Sequence, residues 1–258
     1  MIGFIGGGNM AEALIKGIVA KQDIIVSEPR DDRRDYLEKT YHVKTTPDNK
    51  EVVKHCTIII LAVKPQNMDE VTAEISDMTS DKIIVSIAAG IPLSYLSSRL
   101  KTSKIIRVMP NTPALIQEGM SVMSMCECIH DKEISIIKDI FMSVGLLLML
   151  PEKYMNAVTA LSGSGPAFFA YFVEALIEGG VKMGLDKADA QTLAIQTMLG
   201  TARLLDTGMA PAKLREMVTS PGGTTAAGLK VSQERGFKDV VIATLEAATN
   251  RAKELGRE

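Results

Sequence analysis

A glycine-rich turn directly after the first apolar run constrains the fold of this chain more than any other feature. Residues 2–5 (Ile-Gly-Phe-Ile) are typical of a buried strand. The residues that follow have the pattern G-x-G-x-x-A and are Gly6, Gly7, Gly8, Asn9, Met10 and Ala11. In this pattern the first glycine allows a tight turn, the second leaves room for a pyrophosphate, and the last small residue lets a helix pack on the strand. The N–H groups at the start of that helix bind phosphate. The sequence therefore predicts a dinucleotide-binding turn.

The residues around this turn support the prediction. An amphipathic helix is predicted over residues 9–20, and a second apolar run follows at residues 24–26. Strand, glycine turn, helix and second strand are the context that the motif requires. Glycines also serve ordinary turns, so a purely structural turn is the alternative.

Composition and charge restrict the classes of partner. The 258 residues are 46% hydrophobic and 23% charged, which is ordinary for a globular protein, and the formal net charge is −2. Such a chain has no basic field of the kind that binds nucleic acid or an anionic membrane. The longest apolar runs, residues 57–63 and 144–150, are far shorter than a membrane span. Because no cationic leader precedes the first strand, we expect a cytoplasmic protein with small-molecule partners.

Cysteines and histidines give no sign of a metal site. The cysteines are Cys56, Cys126 and Cys128. They make no disulfide framework, and a C-x-C pair without further ligands is a poor zinc motif. We therefore expect reduced cysteines and no bound metal. The histidines fall in no motif and are His42, His55 and His130. Any chemistry therefore has to rely on a cofactor.

Apolar, strand-like runs alternate with helical patterns up to residue 150. The runs are residues 2–5, 24–27, 57–63, 82–87, 104–109, 120–125 and 144–150. Strands separated by helices predict crossover connections and a mainly parallel sheet. Residues 58–63 are apolar on both faces, as in a central strand that helices cover from both sides.

Beyond Pro151 the strand pattern disappears and helical patterns rich in Ala, Leu and Met replace it. These patterns cover residues 154–161, 167–177, 187–205, 210–218 and 237–255, and a further one begins at Ala226. The helix at 187–205 is apolar nearly all round, so a small domain cannot bury it alone and a subunit interface is expected. We predict an α/β fold with a Rossmann-type dinucleotide-binding domain (residues 1–151), followed by an all-helical dimerisation and substrate domain (residues 152–258).

Two proline-containing loops follow predicted strands. Their residues are Ala62, Val63, Lys64 and Pro65 in the first, and Met109, Pro110 and Asn111 in the second. In an open α/β sheet, ligands bind at the carboxyl ends of the strands. Proline stiffens a loop, which suits a wall that orients a nicotinamide ring. Rigid turns without a ligand are the alternative.

A second glycine-rich segment precedes the helical pattern that begins at Ala226. Residues 219–225 read Thr-Ser-Pro-Gly-Gly-Thr-Thr. Glycines before a helix expose N–H groups, and the threonine hydroxyls either cap the helix or reach a ligand. The segment is similar to an anion site that contains no lysine or arginine. A plain N-cap is the alternative.

These motifs, in this order, resemble pyrroline-5-carboxylate reductase, and the resemblance covers the whole chain. They lie at residues 3–11, 62–65, 86–90, 107–114, 161–168 and 220–225. The resemblance implies that NADPH or NADH reduces the cyclic imine of 1-pyrroline-5-carboxylate to L-proline, the last step of proline biosynthesis. It also implies a homodimer that often assembles further.

The resemblance also implies roles for individual residues. Residues 6–11 would hold the pyrophosphate, and the two proline-containing loops would border the nicotinamide. The substrate residues would be Ser220, Gly222, Gly223, Thr224 and Thr225. The N–H groups of Gly223 and Thr224 would bind the substrate carboxylate, and the Thr225 hydroxyl would lie near the ring nitrogen. Thr225 and Lys64 are the predicted catalytic residues.

The segment after the second strand departs from the family pattern. Many members carry Ser or Thr with a further Ser or basic residue, whereas this chain has Ser27, Glu28, Pro29 and Arg30. An acid at position 28 would bind a ribose 2′-hydroxyl and favour NAD. Arg30, with Arg33 and Arg34, could instead bind the 2′-phosphate of NADP. Both coenzymes therefore stay open.

Other reductases on the same plan are the alternative functions. Relatives that oxidise hydroxy acids use a lysine early in the second domain, and residues 165–172 offer none. An imine nitrogen protonates readily in water, so orientation and the hydride of the cofactor suffice. Another imine or hydroxy-acid reductase and a non-catalytic nucleotide-binding protein are the remaining alternatives.

Overall fold

The computed structural model describes residues 1–126, 129 and 131–256, so the predictions for Cys128 and His130 concern residues outside the described part. Among the described residues, eight strands form one sheet. They are β1 (Ile2–Ile5), β2 (Ile24–Ser27), β3 (Lys44–Thr46), β4 (Ile58–Leu61), β5 (Ile83–Ser86), β6 (Ile105–Met109), β7 (Gly119–Met125) and β8 (Gly145–Met149).

The sheet has the strand order of a dinucleotide-binding fold. The order is β3-β2-β1-β4-β5-β6-β7-β8, and every pair of neighbours is parallel except β6 and β7. The first six strands follow the doubly wound order 3-2-1-4-5-6, whose carboxyl ends form the ligand crevice. The predicted α/β fold with a mainly parallel sheet is confirmed.

Helices cover both faces of this sheet. They are α1 (Asn9–Ile18), α2 (Asp31–Tyr41), α3 (Asn49–His55), α4 (Met68–Ile75), α5 (Leu93–Arg99) and α6 (Asp131–Met142). One apolar cluster packs α1 and α6 on the sheet through Phe4, Leu14 and Phe141. The other packs α3, α4 and α5 on the opposite face. Every residue of β4 is buried, as predicted for a central strand.

The sequence patterns do not predict β3. Its residues are Lys-Thr-Thr, and only Thr46 is buried. This strand lies at the edge of the sheet next to β2. An edge strand of three residues needs no apolar run, so it carries no hydrophobic signal.

The chain continues through a series of helices after β8. A 3₁₀ turn (Glu152–Tyr154) leads into α7 (Met155–Val158) and a π-helix (Thr159–Gly163). The remaining helices are α8 (Gly165–Lys182), α9 (Lys187–Asp206), α10 (Pro211–Met217), α11 (Thr224–Glu234) and α12 (Phe237–Leu255). The helix predicted from Ala226 therefore begins two residues earlier, at Thr224, because Gly223 is its N-cap.

The chain divides into two compact units. Residues 1–164 and 247–256 belong to the α/β unit, and residues 165–246 form the helical unit. The boundary predicted between residues 151 and 152 stays a prediction. In the α/β unit, the end of α12 packs on the loop after β5. Gly90 has φ +77° there, and a Cβ on it would lie 2.8 Å from the Cβ of Leu255.

The helical unit has almost no interior of its own. Within residues 165–246, all of which the structure describes, the only buried residues are Gly165, Ala190 and Ala194. Large apolar side chains of α8 and α9 are exposed instead, among them Tyr171 and Leu193. By length and composition the stretch Glu152–Lys182 also meets the criterion for a membrane span. A helix that a subunit interface buries has the same composition.

Candidate active site

The glycine-rich turn connects β1 to α1. Gly6 has φ +97°, and a Cβ there would lie 2.7 Å from the carbonyl oxygen of Ala62, so only glycine fits. The Gly6 N–H donates to the carbonyl of Ser27 at 2.8 Å, which ties the turn to the end of β2. A Cβ built on Gly8 would meet nothing within 4 Å. The protein therefore leaves no room for a side chain at Gly6, whereas the space next to Gly8 is open.

The first turn of α1 presents free N–H groups beside this opening. Gly8 is the N-cap, and no side chain of the described residues caps the helix. The first hydrogen bond of the helix runs from the Glu12 N–H to the Gly8 carbonyl at 2.9 Å. The N–H groups of residues 9–11 therefore have no partner within the helix. Open space and free N–H groups at the end of β1 fit the pyrophosphate of a dinucleotide.

Glu28 follows β2 directly, and its carboxylate lies against the glycine turn. The residue is 7% exposed. Its Oε2 accepts the N–H of Gly7 at 3.0 Å, and its Oε1 accepts the Nε of Arg30 at 3.0 Å and the Arg30 N–H at 3.3 Å. The hydrogen bond to Glu28 and the charge of that carboxylate raise the pKa of Arg30. The structure therefore joins two predicted cofactor residues in one ion pair beside the turn.

Arg33 supports the glycine turn from the other side. Its Nε donates to the Gly7 carbonyl at 2.6 Å, and its guanidinium pairs with Glu12. Burial works to raise the pKa of Glu12, but hydrogen bonds from Arg33, Tyr41 and Tyr36 outweigh it and lower that pKa. The Arg33 guanidinium, which could bind a 2′-phosphate by its position in the sequence, thus lies against protein acceptors in the structure.

Arg34 is held in the same way. Its Nη1 donates to the carbonyl of Glu28 at 2.6 Å, and its Nη2 pairs with Asp31. The Arg34 side chain is 17% exposed, whereas that of Arg30 is 60% exposed. Of the three arginines in this segment, Arg30 therefore has the most accessible guanidinium.

The carboxyl end of β4 adjoins the glycine turn. The N–H of Ala62 donates to the carbonyl of Ile5 at 2.8 Å, which extends the pairing of β1 and β4 by one residue. Val63 lies near Gly6, because a Cβ on Gly6 would be 3.2 Å from its Cγ1. Lys64 is exposed and precedes the 3₁₀ turn Pro65–Asn67. The structure therefore brings the first proline-containing loop beside the glycine turn.

The loop after β6 is fixed by a long-range amide clamp. The Nδ2 of Asn111 donates to the carbonyl of Ser162 at 3.1 Å, and its Oδ1 accepts the N–H of Met120 at 2.8 Å. A Cβ on Gly163 would lie 2.5 Å from Cε of Met109. Met109 and Asn111 thus pack against the π-helical turn, a type of distortion that is frequent at functional sites. Because β4 and β5 lie between β1 and β6, this loop is farther from the glycine turn than the first one.

A buried ion pair that no sequence motif predicts joins β6 to the turn after β8. Arg107 on β6 is 2% exposed, and its Nη1 donates to Oε1 of Glu152 at 2.7 Å. The same oxygen accepts the N–H of Leu93 at 3.2 Å. This pair ties β6 to α5 and to the turn after β8. A lone arginine in the apolar run Ile-Ile-Arg-Val-Met is the signal that could have revealed it.

The second glycine-rich segment lies in the helical unit, before α11. Gly222 has φ +72°, and the N–H of Gly223 donates to the carbonyl of Ser220 at 3.0 Å. Proline at the second position and a left-handed glycine at the third are typical of a type II turn. The Gly223 N–H is therefore bonded within its own turn, and its role as a substrate donor stays a prediction.

The hydroxyls of this segment do not cap α11. Thr224 and Thr225 are its first two residues, and no side chain of the described residues caps it. The N–H groups at residues 224–226 have no partner within the helix. Thr224 is exposed and Thr225 is half-buried. The plain N-cap alternative thus lacks its hydrogen bond, and the N–H groups without a partner in the helix begin at Thr224.

Comparison with known proteins covers both units. The family model described as "Pyrroline-5-carboxylate reductase dimerisation" matches residues 152–255, and the one described as "NADP oxidoreductase coenzyme F420-dependent" matches residues 1–90. The first includes the exposed apolar helices α8 and α9.

Relatives that match this chain over its full length are named pyrroline-5-carboxylate reductase. A pyrroline-5-carboxylate reductase of Synechocystis sp. is 43% identical over 100% of this chain and 98% of its own length. The solved structure of a pyrroline-5-carboxylate reductase from Coxiella burnetii has a TM-score of 0.90 at 36% identity, covering 98% of this chain and 97% of that one. The structure of Plasmodium falciparum pyrroline carboxylate reductase with NADP bound has a TM-score of 0.89 at 33% identity, covering 99% and 97%. This chain therefore belongs to the pyrroline-5-carboxylate reductase family.

Proposed function

We propose that this protein reduces 1-pyrroline-5-carboxylate to L-proline, with NADPH or NADH as the hydride donor, as the last step of proline biosynthesis. Full-length similarity to proteins of that name supports the reaction. The observation that carries the proposal is the open glycine turn at the end of β1, beside the loop that contains Lys64.

The coenzyme would bind in the α/β unit. Residues 6–11 would hold the pyrophosphate with the free N–H groups of α1, and the loops at residues 62–65 and 109–111 would border the nicotinamide. Ser27, Glu28 and Arg30 would face the adenosine ribose. When bound, the reduced nicotinamide supplies the hydride. The protein contributes orientation, which a stiff loop and the Asn111 clamp provide.

The substrate carboxylate would bind at the start of α11. Because the Gly223 N–H is bonded within its own turn, we assign the carboxylate to the N–H groups of Thr224 and Thr225. Ser220, Gly222 and Gly223 would shape the turn around it. Charge-assisted hydrogen bonds and the helix-end potential together contribute on the order of 1 to 3 kcal/mol.

Weak proton donors would suffice for the ring nitrogen. An imine nitrogen protonates readily in water, so the protein has to hold the proton and exclude wrong orientations. The Thr225 hydroxyl, which caps nothing in the described chain, would lie near that nitrogen. Lys64, whose side chain is exposed in the α/β unit, is the second residue that we propose as catalytic. The absence of lysine from the first four turns of α8 favours an imine over a hydroxy acid, since its lysine is Lys182 in the last turn.

Assembly and location complete the proposal. A homodimer, or a larger assembly built from it, would cover the exposed apolar side chains of α8 and α9. A free, buried thiol at Cys56 is in keeping with a reducing compartment, so we propose a cytoplasmic enzyme.

Coenzyme oxidation with 1-pyrroline-5-carboxylate tests the function. NADPH and NADH should each be consumed, with proline as the product. Hydroxy acids and larger cyclic imines, tested with the oxidised and reduced coenzymes, separate the alternative reductases. A protein that binds coenzyme but oxidises none of it with any imine would be a nucleotide-binding protein instead.

A further inference from the structure

The segment after β2 is where the ribose of a bound dinucleotide meets the protein in this fold. The charged side chains of this segment already bind one another and nearby backbone groups. These contacts affect which coenzyme the segment can bind. The inference rests on the proposed function, because it concerns the choice between NADH and NADPH.

The carboxylate of Glu28 is fixed in place but keeps acceptor capacity. Oε2 receives a single hydrogen bond, from the Gly7 N–H at 3.0 Å, although each carboxylate oxygen has two lone pairs. The backbone of Glu28 is also fixed, since its N–H donates to the Thr46 carbonyl at 3.0 Å and its carbonyl accepts from Arg34. A rigid acceptor next to the glycine turn suits a ribose hydroxyl.

Donors for a 2′-phosphate are scarce in the same place. The Ser27 hydroxyl is buried and donates to Oδ1 of Asn49 at 2.6 Å. Arg33 and Arg34 are bonded to backbone carbonyls and paired with acids. Arg30 has an exposed guanidinium, but it would have to leave Glu28 to reach a phosphate. That movement would also uncover a buried carboxylate beside the new phosphate charge, and like charges at close range are strongly unfavourable.

We infer that Glu28 makes this enzyme select NADH over NADPH, and that Arg30 acts as a positioning residue that holds the Glu28 carboxylate rather than as a phosphate ligand. NADH meets the arrangement as it stands, with its ribose hydroxyls donating to Glu28. NADPH requires the ion pair to open. The selection thus depends on the negative charge of Glu28 and on the hydrogen bonds that already occupy the nearby arginines.

Coenzyme affinity, measured by fluorescence titration without substrate, tests this inference. We expect wild-type protein to bind NADH at least about tenfold more tightly than NADPH, which corresponds to ~1.4 kcal/mol. Glu28→Gln keeps an acceptor for the Gly7 N–H but removes the charge. The ratio of the NADPH dissociation constant to the NADH dissociation constant should therefore fall to about one or below. Asp32→Asn is the matched control, because Asp32 is an exposed acid in the first turn of α2. It should change the ratio less than about twofold.

Arg30→Gln separates the two roles of the arginine. If Arg30 positions Glu28, the variant should weaken NADH binding by about threefold to tenfold, as a lost charge-assisted hydrogen bond would. If Arg30 binds a phosphate, NADPH alone should weaken and the inference is wrong. Melting temperatures without coenzyme show that each variant is folded.

The outcomes distinguish this inference from the proposed function. Equal affinities for both coenzymes, or an unchanged ratio in Glu28→Gln, together with turnover of 1-pyrroline-5-carboxylate, would overturn the selection and leave the function intact. Failure of wild-type protein to bind either coenzyme would overturn both.

Discussion

In the α/β unit the strands β1, β2, β4 and β5 are buried along their whole length, whereas in the helical unit the buried residues are one glycine and two alanines. Both units consist of regular elements. The difference lies in the partner that covers each apolar face. The sheet covers its faces with its own helices, while α8 and α9 leave large side chains exposed. Full burial of one such side chain contributes roughly 1.5–3 kcal/mol, so the helical unit needs a surface from outside itself.

The largest expected effect is the loss of assembly in Leu199→Glu. Leu199 lies on α9 and is 42% exposed within one chain. A carboxylate there would be buried without a partner in the dimer, which costs several kcal/mol. Light scattering should therefore show dissociation, and activity should disappear.

Gln191→Glu is the control for this variant, because it adds the same charge at a polar, exposed position of α9. It should remain a dimer. If wild-type protein is a stable monomer at micromolar concentration, the comparison of the two units fails, because the helical unit would then be stable without a partner.

Gly8→Val should abolish coenzyme binding and leave both units folded. The backbone of Gly8 has φ −69° and ψ −178°, which valine adopts without strain, and a Cβ would meet no protein atom within 4 Å. The branched side chain would instead fill the space of the pyrophosphate. We expect the dissociation constant of NADH to rise at least about a hundredfold.

Gly8→Ala should show a smaller loss of the same kind, since it adds a single methyl group. Coenzyme affinity and melting temperature are measured on the same samples. Near wild-type affinity in Gly8→Val would show that the glycine turn does not bind the pyrophosphate.

Thr225→Ala tests the substrate site that we propose in the helical unit. Its hydroxyl caps nothing, so the melting temperature should not fall. Loss of a transition-state contact of ~1.4 kcal/mol should lower kcat/KM about tenfold, and coenzyme affinity should be unchanged. Thr224→Ala is the matched control, because it also removes a hydroxyl and keeps the backbone N–H. Its kcat/KM should fall much less than that of Thr225→Ala. A variant at Thr225 that is less stable but fully active would restore the N-cap interpretation.

The smallest effect concerns Cys56, a probe of the α/β core. Burial raises the pKa of this thiol from 9.0 to about 11, and its side chain is fully buried. Alkylation at about pH 8 should therefore be negligible in the native protein, because the thiolate is the reactive form. The same protection in Leu199→Glu would show that the α/β unit folds without the dimer. Rapid labelling in wild-type protein would contradict this picture.

The raised pKa of Cys56 makes the stability of the protein depend on pH in alkaline solution. The folded protein keeps the Cys56 proton to a higher pH than the unfolded chain does. The contribution of the Cys56 thiol to the free energy of unfolding is therefore complete below pH 9 and is lost as the pH rises towards 11.

The sequence predicts those features of the fold that depend on residues close together in the chain. The bounds of β1 and β2 and the position of the glycine turn follow from apolar runs and local pattern. Contacts between residues far apart in sequence are not readable in this way. Asn111 clamps Ser162 and Arg33 holds Gly7, and neither pair shares a motif. The hydrogen bond of the Gly223 N–H is readable from the sequence, because the Pro-Gly pair before it already signals a type II turn that uses this N–H.

The packing of α12 on the loop after β5 has a consequence for synthesis on the ribosome. Residues 247–256 complete the α/β unit, although most of that unit is made first. Domains usually fold as they emerge, starting from the N-terminus. Here the contact between Gly90 and Leu255 cannot form until residue 255 has left the exit tunnel. We expect a chain truncated after Glu246 to be cleaved by protease in its α/β part more rapidly than the full chain. Equal resistance would show that the last helical turns are dispensable for that unit.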